Sequence, residues 1–292
     1  MELEDTYCEA FEGLVARVCI TARDAKRLKQ AVRAATALPC TVFGESEGGI
    51  ERWLGEQETP DGRQGAVIQL WVSYGADAAA HLEYEVAKRI RQGVLVVPTT
   101  RVFNALDSPE KFETMARIGH CGDGYETVEH RGGREVIVVP IMMGEFVIER
   151  YIGYQRGVMG GNLWFLCQTE AAALEAGEKA IEAISAVDGA ITPFGICSAG
   201  SKPETNFPEI GPTTNHPYCP TLTRRLSDSK VPEGVESIPE IVINGLSLQV
   251  VERAMRAAIE RVEAVKGLVR ISAGNYGGTL GRYKISLRAL RA

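Results

Sequence analysis

The 292-residue sequence has no excess of positive charge and no long apolar run. Its 32 Lys and Arg are outnumbered by 38 Asp and Glu, which argues against a nucleic-acid partner because phosphate binding depends on clustered cations. The longest apolar stretches, GVLVVPTT and VIVVPIMMG, fall far short of the roughly 20 residues that cross a bilayer. The acidic start MELEDTYCEAFEG lacks the basic and apolar regions of a secretory signal. We therefore expect a cytoplasmic protein that binds neither nucleic acid nor membrane.

Histidine is scarce, and cysteine is scattered. The four histidines show no paired metal-binding spacing, the seven cysteines form no CxxC pair, and no GxSxG nucleophile elbow occurs. These absences argue against a metal site, a disulfide framework and a serine-hydrolase triad. Glycine clusters occur at 157–162 (GVMGGN) and 274–281 (GNYGGTLG). Neither fits a phosphate-binding motif, and tight turns are the commoner reason for such clusters.

Hydrophobic residues make up 45% of the chain and charged residues 24%, as in ordinary globular proteins. Strand–helix–strand patterns occur twice in each half. In the first half, the predicted strands are 16–22, 40–44, 65–74 and 94–100, and the predicted helices are 23–38 and 77–92, with Gly93 as a helix C-cap. In the second half, the predicted strands are 162–168, 190–195, 240–246, 268–274 and 282–290, and the predicted helices are 169–189, with Thr169 as N-cap, and 247–267.

Two such units in one antiparallel sheet, with both helices on one face, make a split βαβ or ferredoxin-like lobe. The length accommodates two lobes, so we predict a duplicated α+β fold with domains at 1–150 and 151–292 and the candidate catalytic residue in the second. A hairpin turn is predicted at Gly132-Gly133. The alternative is one doubly wound parallel sheet, which would favour a Gly-rich turn after the first strand, where this sequence reads ITARD.

Glu240 is the main candidate for chemistry. It begins the apolar strand EIVINGL directly after the long, proline-rich stretch 196–237, and loops of that length are usually functional or disordered. A lone Glu in a strand commonly faces water. If the Ile and Val neighbours instead shelter its carboxyl, the pKa would rise toward a value suited to proton transfer near neutrality.

Six stretches resemble formylmethanofuran:tetrahydromethanopterin formyltransferases. They are EDTYCEAF (4–11), ETPDGR (58–63), GGN (160–162), TNHPYCPT (214–221), EIVINGL (240–246) and ISAGNYGGTLGRY (271–283). The resemblance runs along nearly the whole chain. It implies two ferredoxin-like lobes and an acyltransferase of one-carbon metabolism, in methanogenesis or methylotrophy, that moves a formyl group between a methanofuran-type amine and N5 of tetrahydromethanopterin.

The resemblance also implies partners and site residues. Both carriers are substrates, no metal or prosthetic group is used, and the chain forms a homodimer or homotetramer or joins a formyltransferase/hydrolase complex. Glu240 is the implied catalytic residue, expected to exchange protons with the two nitrogens of a tetrahedral intermediate. Substrate-binding roles are predicted for Gly160, Gly161, Asn162, Asn215, Tyr218, Asn244, Ser272, Asn275 and Tyr276.

Three positions depart from the family pattern. Pro239 stands where the family commonly has an aromatic residue, residues 193–197 read PFGIC instead of PFPGG, and His216 replaces an Asp. These changes surround the proline-rich stretch. They motivate an alternative function, a catalytically diminished homologue that serves as a carrier-binding or scaffold subunit of a formyltransferase/hydrolase complex.

Overall fold

The structure, a computed structural model, describes residues 1–38 and 45–291, so the strand predicted at 40–44 lies outside the described residues. The strands are β1 (Glu2–Leu3), β2 (Tyr7–Thr21), β3 (Glu47–Leu54), β4 (Gly65–Ser73), β5 (Arg101–Asn104), β6 (Lys111–Glu113), β7 (Thr127–Arg131), β8 (Arg134–Ile141), β9 (Gly144–Glu149), β10 (Tyr151–Cys167), β11 (Ala190–Ile191), β12 (Ser201–Lys202), β13 (Thr213–Thr214), β14 (Glu240–Gly245), β15 (Leu268–Ser272) and β16 (Tyr283–Ser286). The α-helices are α1 (Ala25–Thr36), α2 (Ala78–Arg89), α3 (Glu170–Ser185), α4 (Leu248–Val262) and α5 (Leu287–Arg291). Within the described residues, none of these helices has the length and apolar character to span a bilayer.

The chain divides into two compact units. Unit 1 contains Met1–Glu12 and Gly157–Ala292, and unit 2 contains Gly13–Arg156. Strands β2 and β10 each begin in one unit and end in the other. A division at residue 150 into two functional domains stays a prediction.

Unit 2 contains one split βαβ layer. The strands that flank α1 and α2 lie in the order β5-β2-β4-β3, and all neighbours are antiparallel. Helix α1 begins after Asp24, whose side chain accepts a hydrogen bond from Arg27 N, and it buries Leu28, Val32 and Ala35. These apolar residues recur every three or four positions, which places them on one helix face against the sheet.

Unit 1 repeats this arrangement. Its strands lie in the order β15-β10-β14-β11, again antiparallel, and α3 and α4 pack their buried faces into one core with Phe165 and Ile243. When the four strands named for each sheet are numbered in chain order, both sheets have the strand order 4-1-3-2. The predicted duplicated ferredoxin-like α+β fold is therefore confirmed, and a doubly wound parallel sheet is excluded.

The prediction around Gly93 was wrong. A π-helical turn over Ile90–Leu95 continues α2, and the next strand is β5 at Arg101–Asn104 instead of 94–100. Gly93 is required for another reason: a Cβ there would lie 2.9 Å from the backbone N of Ala35 in α1. The sequence pattern predicted that Gly93 caps the helix, whereas its actual role is to let this turn approach the backbone of α1 closely.

Other strand boundaries also differ from the predicted ones. The predicted strand at 282–290 is short, because α5 begins at Leu287. Strand β2 begins nine residues before the predicted start at 16, and β3 was not predicted. The hairpin turn at Gly132 and Gly133 is confirmed, since both residues have positive φ values of 58° and 78° between β7 and β8.

The N-cap predicted at Thr169 is present, because its Oγ1 accepts a hydrogen bond from Ala172 N at 3.1 Å. We expect Thr169→Ala to lower the free energy of unfolding by about 1 kcal/mol, because one of the first N–H groups of α3 loses its acceptor. Urea unfolding followed by circular dichroism measures this loss. The matched control Thr169→Ser keeps the hydroxyl and should change stability by only a few tenths of a kcal/mol; equal losses in both variants would contradict the capping role.

Candidate active site

Strand register determines the position of Glu240. On β14 it lies opposite Trp164 of β10, and Trp164 in turn lies opposite Ser272 of β15. On its other side, Glu240 exchanges two backbone hydrogen bonds of 2.8 Å with Cys197. Because directly opposite residues of antiparallel strands share a face, Cys197, Glu240, Trp164 and Ser272 form one row across the sheet.

The Glu240 side chain is buried and hydrogen-bonded. Its residue exposure is 8%, so a water-facing position is excluded. Trp164 Nε1 donates to its Oε1 at 2.9 Å, and the neighbouring Cys197 thiol also lowers the pKa of the carboxyl. Burial raises the pKa of Glu240, and these two groups only partly offset this effect. The carboxyl therefore keeps its proton to a higher pH than an exposed glutamic acid.

Glu240 lines a cavity of about 440 Å³ that lies within unit 1. Trp164, Tyr218 and Asn215 share its wall, together with parts of the 196–237 stretch. The rings of Trp164 and Tyr218 meet edge-to-face with centroids 4.7 Å apart. The cavity thus combines an acidic group with two aromatic surfaces, which is typical of sites for flat small molecules.

Four of the predicted substrate-binding residues instead bind or pack against the protein itself. Asn244 Oδ1 accepts from Gly160 N at 3.0 Å, and Asn162 Nδ2 donates to Gly160 O at 3.3 Å. Gly160 has a positive φ of 76°, and a Cβ on Gly161 would lie 2.5 Å from Val251 Cγ1. These contacts hold the irregular pairing of β10 with β14 between Val158 and Gly161. A substrate contact for these four residues stays a prediction.

Ser272 is the last residue of β15, and Asn275 and Tyr276 follow in the loop after it. Ser272 is buried opposite Trp164, and Asn275 Nδ2 donates to Thr6 Oγ1 at 3.0 Å. Tyr276 donates from its hydroxyl to Ser201 O at 3.5 Å. The pKa of Tyr276 is raised to about 12, mainly by burial and to a smaller extent by the negative charge of Glu240. The structure thus brings Asn215 and Tyr218 to the cavity with Glu240, whereas Tyr276 contacts the proline-rich stretch.

Trp164 and Cys197 were missed as site residues. Trp164 stood inside a strand pattern, where an indole normally indicates core. Only the pairing of β10 with β14 brings its N–H to Glu240, and single-sequence patterns do not give strand register. Among residues 1–38 and 45–291, no group of three or more His, Cys, Asp or Glu side chains could hold a metal ion.

The sequence departure at Pro239 leaves the sheet intact. Proline lacks the N–H, but Pro239 O still accepts from Phe165 N at 3.1 Å. Pro239 also lines the cavity directly beside Glu240. Pro239 therefore forms part of the cavity wall and keeps the strand pairing that positions the carboxyl.

A cavity of this size with a buried carboxyl of raised pKa is typical of an acid–base enzyme acting on a small molecule. Comparison with known proteins identifies the kind of enzyme. The family described as "Formylmethanofuran-tetrahydromethanopterin formyltransferase" matches residues 1–141, and its "FTR, proximal lobe" matches residues 144–290. The chain belongs to this formyltransferase family, as its sequence motifs indicated.

Three relatives illustrate the similarity. A "formyltransferase-like protein" of Methanopyrus kandleri is 61% identical over 98% of this chain and 96% of its own. The formyltransferase of Methanosarcina barkeri has a solved structure with a TM-score of 0.93 and 38% identity, over 99% of this chain and 98% of that one. A chain of the formyltransferase/hydrolase complex of Methylorubrum extorquens, solved with methylofuran, gives a TM-score of 0.92 and 35% identity over 99% and 96%.

The Cys197 thiol beside Glu240 makes the titration of this carboxyl testable. We expect Cys197→Ala to raise the pKa of Glu240 further, because the thiol that lowers it is lost. Cys197→Ser retains a donor and should shift the pKa less. Infrared difference spectra of the protonated carboxyl, assigned with Glu240→Gln and followed over pH, measure the midpoint. An unchanged or lower midpoint in Cys197→Ala would contradict this effect of the thiol on the carboxyl.

Proposed function

We propose that this protein transfers a formyl group between the amine of a methanofuran-type carrier and N5 of tetrahydromethanopterin, with Glu240 as the proton-transfer group. The observation that carries the proposal is the buried carboxyl of Glu240 on the wall of the cavity. Membership of the formyltransferase family supplies the substrate class. No prosthetic group enters the proposed reaction.

Formyl transfer between two amines requires the attacking nitrogen to lose a proton and the leaving nitrogen to gain one. When the acceptor nitrogen attacks the formyl carbon, a new C–N bond forms and a tetrahedral intermediate carries a negative oxygen. The attacking nitrogen must lose a proton, and the leaving nitrogen must gain one before the old C–N bond breaks. A carboxyl whose pKa is raised by burial can donate to the leaving nitrogen and be restored by the proton of the attacking nitrogen. The balance is the same in either direction of transfer.

The cavity residues suit the two carriers. The aromatic surfaces of Trp164 and Tyr218 can contact a flat pterin or furan ring, and the Asn215 amide can donate to the developing oxyanion. We assign direct substrate contacts to Tyr218 and Asn215. A substrate-binding role stays a proposal for the remaining candidates, which are not among the residues that line this cavity: Gly160, Gly161, Asn162, Asn244, Ser272, Asn275 and Tyr276.

We also infer that the chain assembles with other subunits. The similarity to a chain of the Methylorubrum extorquens complex supports a place in a formyltransferase/hydrolase complex. A homodimer or homotetramer is the other assembly that we propose. A cytoplasmic location belongs to the same proposal. Sedimentation velocity of the purified chain, alone and with candidate hydrolase subunits, measures which assembly forms.

A second function has one observation in its favour. The Methanopyrus kandleri relative at 61% identity is called formyltransferase-like, whereas the solved Methanosarcina barkeri formyltransferase is 38% identical. A carrier-binding or scaffold subunit would keep the cavity and lose the transfer. The buried Glu240 favours the transferase, because a binding subunit has no need of a carboxyl with a raised pKa. Carrier binding without transfer by the wild-type chain would favour the scaffold.

We expect Glu240→Gln to lower kcat for formyl transfer at saturating carriers by about 100-fold or more, the usual size of a general acid–base contribution. The glutamine retains the shape and a hydrogen-bond acceptor for Trp164, so carrier binding should persist. The matched control is Glu178→Gln on α3, where the side chain is exposed, and it should keep wild-type kcat. Full turnover by Glu240→Gln would remove the proposed proton-transfer role.

A further inference from the structure

Glu9 on β2 has a buried carboxylate that no step of the proposed chemistry uses. Its residue exposure is 0%. Four backbone N–H groups of the glycine-rich loop 274–281 converge on it. Oε1 accepts from Tyr276 N at 2.6 Å and Gly278 N at 2.5 Å, while Oε2 accepts from Leu280 N at 3.0 Å and Gly281 N at 2.8 Å. All of these residues belong to unit 1.

Loop 274–281 forms a nest, which is a concave anion-binding site made of successive backbone N–H groups. The anion bound in this nest is the Glu9 side chain of the same protein. Gly277 and Gly278 take positive φ values of 70° and 74°, which turn successive N–H groups to one side. A Cβ on Gly281 would lie 2.7 Å from Glu9 Cβ, so the loop could not approach the carboxylate with a larger residue there. The GNYGGTLG cluster therefore encloses Glu9, and the N–H groups are not free to bind a phosphate.

The four donors also decide the charge of Glu9. Burial alone would raise the pKa of its carboxyl, but the N–H groups outweigh burial and lower the pKa below its usual value. Glu9 is therefore ionised at neutral pH. An ionised acceptor makes these hydrogen bonds stronger than neutral ones, so the loop is firmly held.

The loop that Glu9 holds contacts two parts of the proposed site. At its start, Gly274 N donates to Asn162 Oδ1 at 2.6 Å, and a Cβ on Gly274 would lie 2.8 Å from Cζ2 of Trp164. Two residues later, the Tyr276 hydroxyl donates to Ser201 O, next to Gly200 of the cavity wall. The loop thus lies against the Trp164 ring at one point and against the proline-rich stretch at another.

We infer that Glu9 is a positioning residue for carrier binding: by holding loop 274–281 it fixes the Trp164 ring and, through the Tyr276 hydroxyl, Ser201 next to Gly200 of the cavity wall. The identity of the ligand rests on the proposed function. If Glu9 only stabilised the fold, its substitution would lower the number of folded molecules that bind a carrier. The Kd of those molecules would stay unchanged.

Glu9→Gln tests the inference in the full-length protein. The amide keeps the size of the side chain, but its NH₂ group must face two N–H donors and cannot accept from them. We expect the Kd of at least one carrier, tetrahydromethanopterin or methanofuran titrated separately by calorimetry, to rise about tenfold or more, with one site per chain retained. In turnover, the KM of that carrier should rise while kcat stays within about threefold, because Glu240 is untouched.

Glu12→Gln is the matched control, since Glu12 lies on the same strand and pairs with Arg282 outside the N–H nest. Its Kd values should remain at the wild-type level. Gly278→Ala strains the loop and leaves Glu9 intact, so it should reproduce the rise in Kd and decides the question if Glu9→Gln does not fold.

Unchanged Kd values with a reduced number of sites would overturn the inference and show a structural role. Calorimetry also separates the two proposals. If the wild-type chain binds a carrier but transfers no formyl group, the proposed function fails while the Kd comparison still tests Glu9. If the wild-type chain binds neither carrier, the inference fails as well.

Discussion

The burial of the Glu240 carboxyl is the constraint on which the proposed site depends. An ionised carboxylate loses its hydration when it is buried, so the neutral form is favoured unless enough donors compensate. The indole of Trp164 donates to Glu240 and the neighbouring Cys197 thiol also lowers its pKa, but together they do not outweigh the burial. The result is an acid that remains protonated above its usual range on the wall of a cavity. Proton exchange between two nitrogens requires such a group.

Glu9 and Glu240 show how one unit gives two buried carboxyls opposite properties. Glu9 accepts from four backbone N–H groups, and its pKa is lowered. Glu240 accepts from the Trp164 indole, and its pKa is raised. The number and geometry of donors thus separate a permanent anion, which holds a loop, from an acid that can exchange its proton. Such divergence of paired carboxyl environments is a common way to divide roles in an active site.

Local patterns predicted much of this molecule, and long-range contacts account for what they missed. The apolar spacing of α1 and the hydroxyl of Thr169 determine helices without help from distant residues, and both were predicted. Gly93 was misinterpreted because the backbone it approaches belongs to another helix. The partners of Glu240 were missed because Trp164 and Cys197 reach it only through strand register. The nest around Glu9 joins residues that are about 270 positions apart, and glycine spacing alone could not identify its anion.

Thermal unfolding of the wild-type chain and of Glu240→Gln as a function of pH tests the central claim most directly. A folded-state pKa above the unfolded value of 4.5 means that Glu240 stabilises the fold fully below that value and that this contribution is lost as pH rises through the folded pKa. Glutamine has no such titration. The Tm of Glu240→Gln relative to wild type should therefore increase as pH rises above 4.5 and level off above the folded pKa. A Tm difference that is constant over this range, or that decreases, would contradict a desolvated, proton-holding Glu240.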